Sequence, residues 1–307
     1  MASFTTQIKD EITKIETERV ESLSEVCAYL KYNGTIDDNH ISLYTENASV
    51  ARRMFNLLKR LYGVNIKLTI RSQKRFIIKT IYMLDIYEKI DDIKSDMDQC
   101  VKHILDYSEP EKASFLKGIF LADGSINDPS KSKYHLEFLI NDEALANLCA
   151  EILISMRFSA KVLKRDKGYM VYIKAAEEIS DFIKVIGAIN ALFYYEDIRI
   201  YRDHKNMVNR LNNCEQANVE KSMRTCNEQV ANIEYLKEKD MLTLLDDKSQ
   251  LIMEYRLKYP ETTMNELAEI ISMETDYNIT KSGINHHFRK IKDLVTRAKE
   301  KEKEKNS

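Results

Sequence analysis

The chain has 307 residues, enough for two or three domains, and its formal net charge of −2 conceals a strong segregation of charge. Residues 51–80 carry nine Lys or Arg and no acid, whereas residues 81–111 carry nine acids and three lysines, so part of the chain can offer a basic surface to a polyanion. No apolar run approaches the length of a membrane helix, and the five cysteines form no Cys-x-x-Cys pair, which excludes a membrane span and a disulfide framework and predicts a soluble, intracellular protein.

The first element with a clear pattern is an apolar helix that ends in a turn pair, and it occurs twice. Residues 26–34 read Val-Cys-Ala-Tyr-Leu-Lys-Tyr-Asn-Gly, and residues 116–124 read Leu-Lys-Gly-Ile-Phe-Leu-Ala-Asp-Gly. Small residues are spaced along both helices. Asn33 and Asp123 are typical of a helix end, because Asn and Asp tolerate the left-handed conformation.

The elements after each of these helices recur in the same order. A hairpin, an amphipathic helix, a second pair of strands and a closing helix follow in a first unit at about 20–105, and again in a second unit at about 111–195. Such a repeat predicts a duplicated αββαββα arrangement, an α+β domain that covers residues 1–205.

Residues 64–71 alternate strictly between apolar and polar side chains, which predicts a strand with two distinct faces. We expect Val64, Ile66, Leu68 and Ile70 to face the core, with the basic side chains on the other face. The corresponding part of the second unit is also basic. Two such sheets would form a basic saddle for duplex DNA, and the candidate phosphate contacts are Lys67, Arg71, Arg75, Lys164 and Arg165.

The character of the chain changes after residue 205. Residues 206–245 predict a linking helix, residues 246–298 a three-helix domain, and residues 299–307 a charged, frayed tail. The second helix of this domain begins at a capping box formed by Thr263 and Glu266. The third buries Ile284, Phe288 and Ile291 and carries a polar stripe of Lys281, Asn285, Arg289 and Lys292, the layout of a helix-turn-helix recognition helix.

The first turns of this third helix supply the candidate DNA contacts. They are Lys281, Ser282, Asn285, His286, His287, Arg289 and Lys290.

Residues 116–124 resemble the LAGLIDADG motif of homing endonucleases. In that family the two helices pack side by side, which implies that Gly118 and Ala122 face Ala28. An acidic residue near the end of each helix holds the divalent metals that cleave DNA. Asp123 supplies one such carboxylate, but the uncharged Asn33 is a weak ligand for Mg²⁺. The resemblance therefore implies a degenerate scaffold, and we expect no catalytic residues, no metal site and no cofactor.

Over its whole length the chain is similar to the WhiA regulators of Gram-positive bacteria. The similarity is carried by residues 3–12, by 120–129 with 134–137, by 209–221 and by 280–290. It implies a LAGLIDADG-like domain followed by a helix-turn-helix, and a DNA-binding transcription regulator of cell division, chromosome segregation and, in some bacteria, sporulation. Two departures are Asp123, where relatives often have a second Gly, and His287, where Arg is expected.

The resemblance also implies double-stranded DNA as the partner, with division or segregation proteins as further partners, and a cytoplasmic protein associated with the nucleoid. Two other functions stay open from the residues themselves. One is a metal-dependent endonuclease that works with Asp123, and the other is a protein-interaction module that uses the acidic stretch 85–111. The chain contains no Walker motif, dinucleotide fingerprint, zinc-ligand spacing or nucleophile elbow.

Overall fold

The computed structural model describes residues 2–75 and 77–305, with side chains except at 73–75, 77–79 and 305. By its contacts the chain divides into two compact units, Met1–Asp203 and His204–Ser307. The first unit is α+β and contains the repeat, and the second is helical. The predicted fold class, a duplicated α+β domain followed by an all-helical domain, is therefore confirmed.

The first unit starts with helix α1 (Phe4–Ile12) and continues with two repeats of equal topology. The elements of repeat 1 are α2 (Arg19–Asn33), β1 (Thr35–Ile36), β2 (Ile41–Thr45), α3 (Ala48–Tyr62), β3 (Ile66–Arg75), β4 (Ile77–Ile86) and α4 (Ile90–His103). The elements of repeat 2 are α5 (Glu109–Asp123), β5 (Gly124–Ile126), β6 (Leu136–Ile140), α6 (Glu143–Ser155), β7 (Lys161–Arg165), β8 (Gly168–Ile173) and α7 (Ala176–Val185). The two antiparallel sheets have the orders β1-β2-β4-β3 and β5-β6-β8-β7, so the predicted duplication is confirmed.

Equivalent side chains start equivalent helices in the two repeats. Asn47 caps α3 by accepting hydrogen bonds from the backbone N–H groups of Ser49 and Val50 at 2.8 and 3.0 Å. Asp142 caps α6 in the same way, from the N–H of Leu145 at 2.9 Å. Each cap satisfies a donor that the first turn of a helix leaves free, so these helix starts are encoded locally in both copies.

The two motif helices, α2 and α5, pack against each other as predicted. A Cβ atom at Gly118 would lie 2.3 Å from the carbonyl oxygen of Glu25 and 2.8 Å from the Cβ of Ala28, closer than real Cβ atoms approach. Only glycine therefore permits this helix contact. Beside it, the buried carboxylate of Glu25 accepts from Arg53 Nε at 2.9 Å and lies 3.0 Å from Lys117 Nζ.

The glycines that follow the motif helices do not adopt the left-handed conformation that the sequence suggested for these helix ends. Gly34 and Gly124 have φ values of −78° and −80°, which is extended backbone and not the left-handed region. The requirement is space: a Cβ at Gly34 would lie 2.5 Å from the carbonyl oxygen of Leu30, and one at Gly124 would lie 2.2 Å from Phe120 Cδ2. Asn33 and Asp123 themselves are the last residues of their helices.

The prediction that strand β3 buries its whole apolar face is wrong for its second half. Val64, just before the strand, is buried, but Leu68 and Ile70 are 49% and 58% exposed. Both pair with β4 at the free edge of the sheet. The apolar alternation is real, but it continues beyond the part of the strand that the helices cover.

The second unit is built from helices alone. Helix α8 runs from Ile189 to Glu238, so it begins within the first unit and starts and ends earlier than the predicted linking helix. Helices α9 (Asp247–Lys258), α10 (Met264–Glu274) and α11 (Lys281–Lys305) follow. The predicted capping box at the start of α10 is confirmed, with hydrogen bonds of 2.7 and 3.3 Å between Thr263 and Glu266.

The apolar core of this unit is shared between the end of α8 and the three following helices. Its fully buried members include Leu236, Ile252, Leu267, Ile271 and Ile284.

The charged tail is helical where the sequence predicted a frayed end. Helix α11 continues to Lys305. Glu302 lies 2.5 Å from Lys239 Nζ and accepts a hydrogen bond from the hydroxyl of Tyr235 at 3.0 Å. These contacts with the end of α8 help to hold the alternating Lys-Glu sequence in a helix.

Candidate nucleic-acid interface

Helix α11 has a well-defined buried side, which fixes the side that it can present to DNA. Ile284, Phe288, Ile291 and Val295 are all buried at helical spacing. With 3.6 residues per turn, the opposite face carries Ser282, His286, Arg289 and Asp293, and all four are exposed. Lys281 is exposed as well. The accessible first turns are thus polar and basic, as a groove-binding helix requires.

The predicted stripe of Lys281, Asn285, Arg289 and Lys292 is therefore rotated away from the most exposed face. Lys292 Nζ lies 2.6 Å from a carboxylate oxygen of Glu228 on α8, and Asn285 is only half-exposed. Asn285, Arg289 and Lys292 line a cleft of about 200 Å³ between α8 and α11. Periodicity alone could not show this, because it does not say which flank another helix covers.

His287 is not on the exposed side of α11, so the prediction that it contacts DNA is corrected. It is 9% exposed, and its Nδ1 lies 2.8 Å from the hydroxyl of Ser249 on α9. Burial lowers the pKa of His287, so the neutral form is favoured. Its role is to pack α11 onto α9, next to the cation–π contact between the buried Arg256 and Phe288.

Lys290 completes the predicted set on this helix. Its Nζ lies 3.5 Å from Asp246 at the start of α9, and the side chain is exposed. An exposed pair at this distance contributes little to stability, so Lys290 stays available to a phosphate.

The open faces of the two sheets, opposite the helices, can be compared row by row because the strand registers match. Lys67 pairs with Asp85, and Lys161 pairs with Tyr172 at the equivalent position. Arg71 and Arg165 are likewise equivalent, in the middle of β3 and at the end of β7. Lys67, Arg71 and Arg165 therefore lie on the open faces as predicted. Lys161, at the position equivalent to Lys67, is a fourth cation on these faces.

The prediction that Lys164 lies on the open face of its sheet is wrong. It pairs with Tyr169, which in turn pairs with the buried Ile140, so Lys164 lies on the face that packs against the helices. Its Nζ is 5.9 Å from the centre of the Tyr169 ring. The side chain of Arg75, another predicted contact, lies outside the described residues.

The open faces are less uniformly basic than the sequence suggested. A row of partly apolar side chains crosses each sheet, with Tyr44 and Leu139 more than half exposed at equivalent positions. Each face also holds a histidine–carboxylate pair: His40 Nε2 is 3.2 Å from Asp85, and His135 Nε2 is 3.2 Å from Glu137. Pairing between strands brings His40 to Asp85, whereas His135 and Glu137 are two residues apart in the chain and lie on the same face because side chains alternate along a strand.

The ends of the two motif helices do not form a metal site among the described residues, where no three His, Cys, Asp or Glu side chains converge on one point. Asn33 Oδ1 accepts a hydrogen bond from the backbone N–H of Tyr44 at 3.3 Å. Burial raises the pKa of Asp123 to about 6, and the nearby ammonium of Lys9 opposes that rise. Burial likewise lowers the pKa of Lys9 to about 8. One carboxylate beside an amide and an ammonium does not fit a two-metal nuclease.

Three family models match the chain in order and cover most of it. They describe the WhiA N-terminal LAGLIDADG-like domain at residues 19–98, the WhiA LAGLIDADG-like domain at 112–205 and the WhiA C-terminal HTH domain at 208–295. A probable cell division protein WhiA from Bacillus cytotoxicus is 38% identical over 308 residues, which cover 95% of this chain and 96% of that protein.

The chain belongs to the WhiA family. A second WhiA relative, from Bacillus thuringiensis, is also 38% identical, with 96% of each chain covered. The crystal structure of a full-length WhiA protein from Thermatoga maritima matches with a TM-score of 0.59 and 26% identity, and the match covers 96% of this chain and 99% of that one. These matches confirm the resemblance and the LAGLIDADG-like architecture with a helix-turn-helix region.

Proposed function

We propose that this chain is a sequence-specific, DNA-binding transcription regulator of the WhiA type, acting in cell division and chromosome segregation and, where the organism sporulates, in sporulation. The observation that carries the proposal is the exposed, polar and basic start of α11, held by a three-helix core within a chain of the WhiA family. Relatives that are 38% identical are named probable cell division proteins.

In this proposal α11 supplies the base contacts. Ser282, His286 and Arg289 lie on its accessible face, with Lys281, Asn285 and Lys290 at the edges. Arginine can bind guanine O6 and N7 with two hydrogen bonds, and each such contact contributes roughly 1–3 kcal/mol of discrimination. Lys67, Arg71, Lys161 and Arg165 are proposed to contact phosphates, which set affinity without specifying sequence.

We further propose that the scaffold does not cleave DNA. The donor set at the motif ends, Asn33, Asp123 and Lys9, offers a single carboxylate and an ammonium, where a two-metal nuclease needs a carboxylate from each helix. No described helix combines the length and apolar character needed to cross a bilayer. A cytoplasmic protein associated with the nucleoid, with division or segregation proteins as partners, is the setting that we propose for this regulator.

The test is a selection of sheared genomic DNA on the purified full-length protein in Mg²⁺ at physiological salt, with both ends of every recovered fragment sequenced. We expect intact fragments enriched around a few promoters. Arg289→Glu should abolish that enrichment, whereas Lys299→Glu, on the distal part of α11, should leave it in place. Fragment ends that accumulate at one sequence, and that disappear in Asp123→Asn, would show an endonuclease instead.

A further inference from the structure

The part of α8 between His204 and Arg224, here called the exposed segment, has a composition that its structure does not explain. Every residue from His204 to Lys221 is exposed. The segment contains five asparagines and one glutamine. It carries four Lys or Arg and two Glu, a formal charge of +2 (4 − 2).

This composition works against the helix that the segment forms. Asparagine is a poor helix former, because its side chain competes for backbone hydrogen bonds. Most of the stability of a helix in a protein comes from tertiary packing of one face, and the exposed segment has no such packing. Five asparagines in such a helix oppose its formation, and residues that oppose the local structure are found most often at functional positions.

The amides are not scattered around the helix. At 100° per residue, Asn209, Asn213 and Gln216 fall within an arc of about 60°. Lys205 and Arg224 lie close to the same side, at the two ends of the segment. The opposite side carries Met207 and Leu211, so the segment has a polar amide side and an apolar side.

The amide side is free to bind a partner. Within the described part of the chain, no hydrogen bond engages the side chains of Asn209 or Asn213, and Gln216 donates only to Glu220, one turn away, at 3.0 Å. Further along α8, Cys226, Gln229 and Ile233 are buried against the three-helix core. The exposed segment is therefore a continuous extension of the helix-turn-helix unit.

We propose that the amide side of the exposed segment binds the major groove of duplex DNA, as a second recognition helix next to α11. The proposal rests on the proposed function. The side-chain amides of asparagine and glutamine can form two hydrogen bonds with adenine N6 and N7, and the major groove admits an α-helix. The charge of the segment suits a polyanion, and the matched HTH family model itself begins at residue 208, within this segment.

The length of the segment sets the expected extent of the contact. From His204 to Arg224 the helix advances by roughly 30 Å, which is somewhat less than one turn of B-DNA. The exposed segment should therefore add contacts outside the bases bound by α11 and should favour adenine at those positions.

The test variant is Asn209→Ala/Asn213→Ala/Gln216→Ala in the full-length protein. Alanine is the strongest helix former, so the segment stays helical, and circular dichroism at 222 nm should show equal or greater helicity. Affinity is measured by fluorescence anisotropy on a site recovered from genomic selection. We expect at least tenfold weaker binding, and in a repeated selection the variant should lose its adenine preference at the outer positions.

The matched control is Asn218→Ala, which removes the same side chain from the opposite side of the same helix. It should change affinity less than twofold. If the triple variant binds as the wild type does while Arg289→Glu does not bind, this inference is overturned and the proposed function stands. An equal loss in Asn218→Ala would also overturn it, because the effect would then not depend on which side of the helix is changed. If the wild type itself enriches no DNA, both proposals fail.

Discussion

The two repeats of the first unit have one topology and one strand register but different chemistry at the positions where they meet. Glu25 of α2 corresponds to Phe115 of α5, and Arg53 of α3 corresponds to Leu148 of α6. In repeat 1 this contact is a buried ion pair that Lys117 joins, whereas in repeat 2 both positions are apolar.

The comparison shows which features the fold needs twice and which it needs once. Helix caps and the glycine after each motif helix occur in both copies, because every helix start and close turn must satisfy its own backbone and sterics. The buried charges, Gly118 and Asp123 occur in one copy only. They lie at or near the contact between repeats, where one side chain can serve both halves.

The largest expected effect comes from breaking the buried ion pair of repeat 1. Glu25→Ala leaves Arg53 and Lys117 as two buried cations without a counter-charge. Breaking a buried pair in this way costs about 3–5 kcal/mol, which urea denaturation followed by circular dichroism would measure. Replacing all three charges with apolar residues, as Glu25→Leu/Arg53→Leu/Lys117→Met, should recover most of the loss. A cost of under 1 kcal/mol for Glu25→Ala would show that the charges are hydrated.

The next effect concerns the close contact between α2 and α5. Gly118→Ala places a Cβ against the backbone of Glu25 and the side chain of Ala28. Overpacking of this kind costs about 1–3 kcal/mol, although alanine is the better helix former. The control is Gly63→Ala, since a Cβ there meets nothing within 4 Å and any loss reflects its φ of 65° alone. A stabilised Gly118→Ala would contradict the packing described here.

A smaller effect, a gain in stability, is expected when Asp123 is replaced by asparagine, the residue that ends the other motif helix. The pKa of Asp123 is raised from 3.8 to about 6, so the folded state favours the protonated carboxyl and loses stability as the pH rises through 6. Asp123→Asn should therefore stabilise the protein by about 1 kcal/mol at pH 7.5, and by nothing measurable at pH 3.5. The gain is below the full value of the shift because burying the amide of the new asparagine has a cost of its own. A melting temperature that falls at pH 7.5 would contradict this.

The smallest expected effect is on the salt dependence of DNA binding, and it should differ between the open face of each sheet and the face that packs against the helices. Arg71→Ala and Arg165→Ala each remove one proposed phosphate contact from an open face. Each should lower the slope of log Kd against log salt by about 1, with little change in sequence preference. Lys164→Ala removes the same charge from the helix-packed face and should leave the slope unchanged. Equal slopes for Lys164→Ala and Arg165→Ala would show that the faces do not differ in DNA binding.

Much of this fold was predictable from the sequence because its signals are local. The duplicated motif, the alternating strands and the capping box at Thr263 each depend on residues within a few positions of one another, and all are confirmed. The exposed start of α11 was predictable for the same reason.

Predictions failed where a distant element decides the environment of a side chain. His287 has the spacing of a surface residue but packs on Ser249, 38 positions away. Lys164 alternates with its neighbours as expected, yet only the pairing with β8 shows which face it occupies. Leu68 and Ile70 have the pattern of core residues at a strand edge that no helix covers.

The sequence by itself determined the repeat, the order of its elements, the family and the loss of one of the two metal-binding carboxylates, because these depend on residue identity and short-range periodicity. Only the tertiary structure decided which side of α11 is free, which cations share the open faces of the sheets, and that the side-chain amides of Asn209 and Asn213 form no hydrogen bond within the described part of the chain. Those properties depend on burial and on contacts between residues far apart in the chain, and a side chain's own identity does not specify its neighbours.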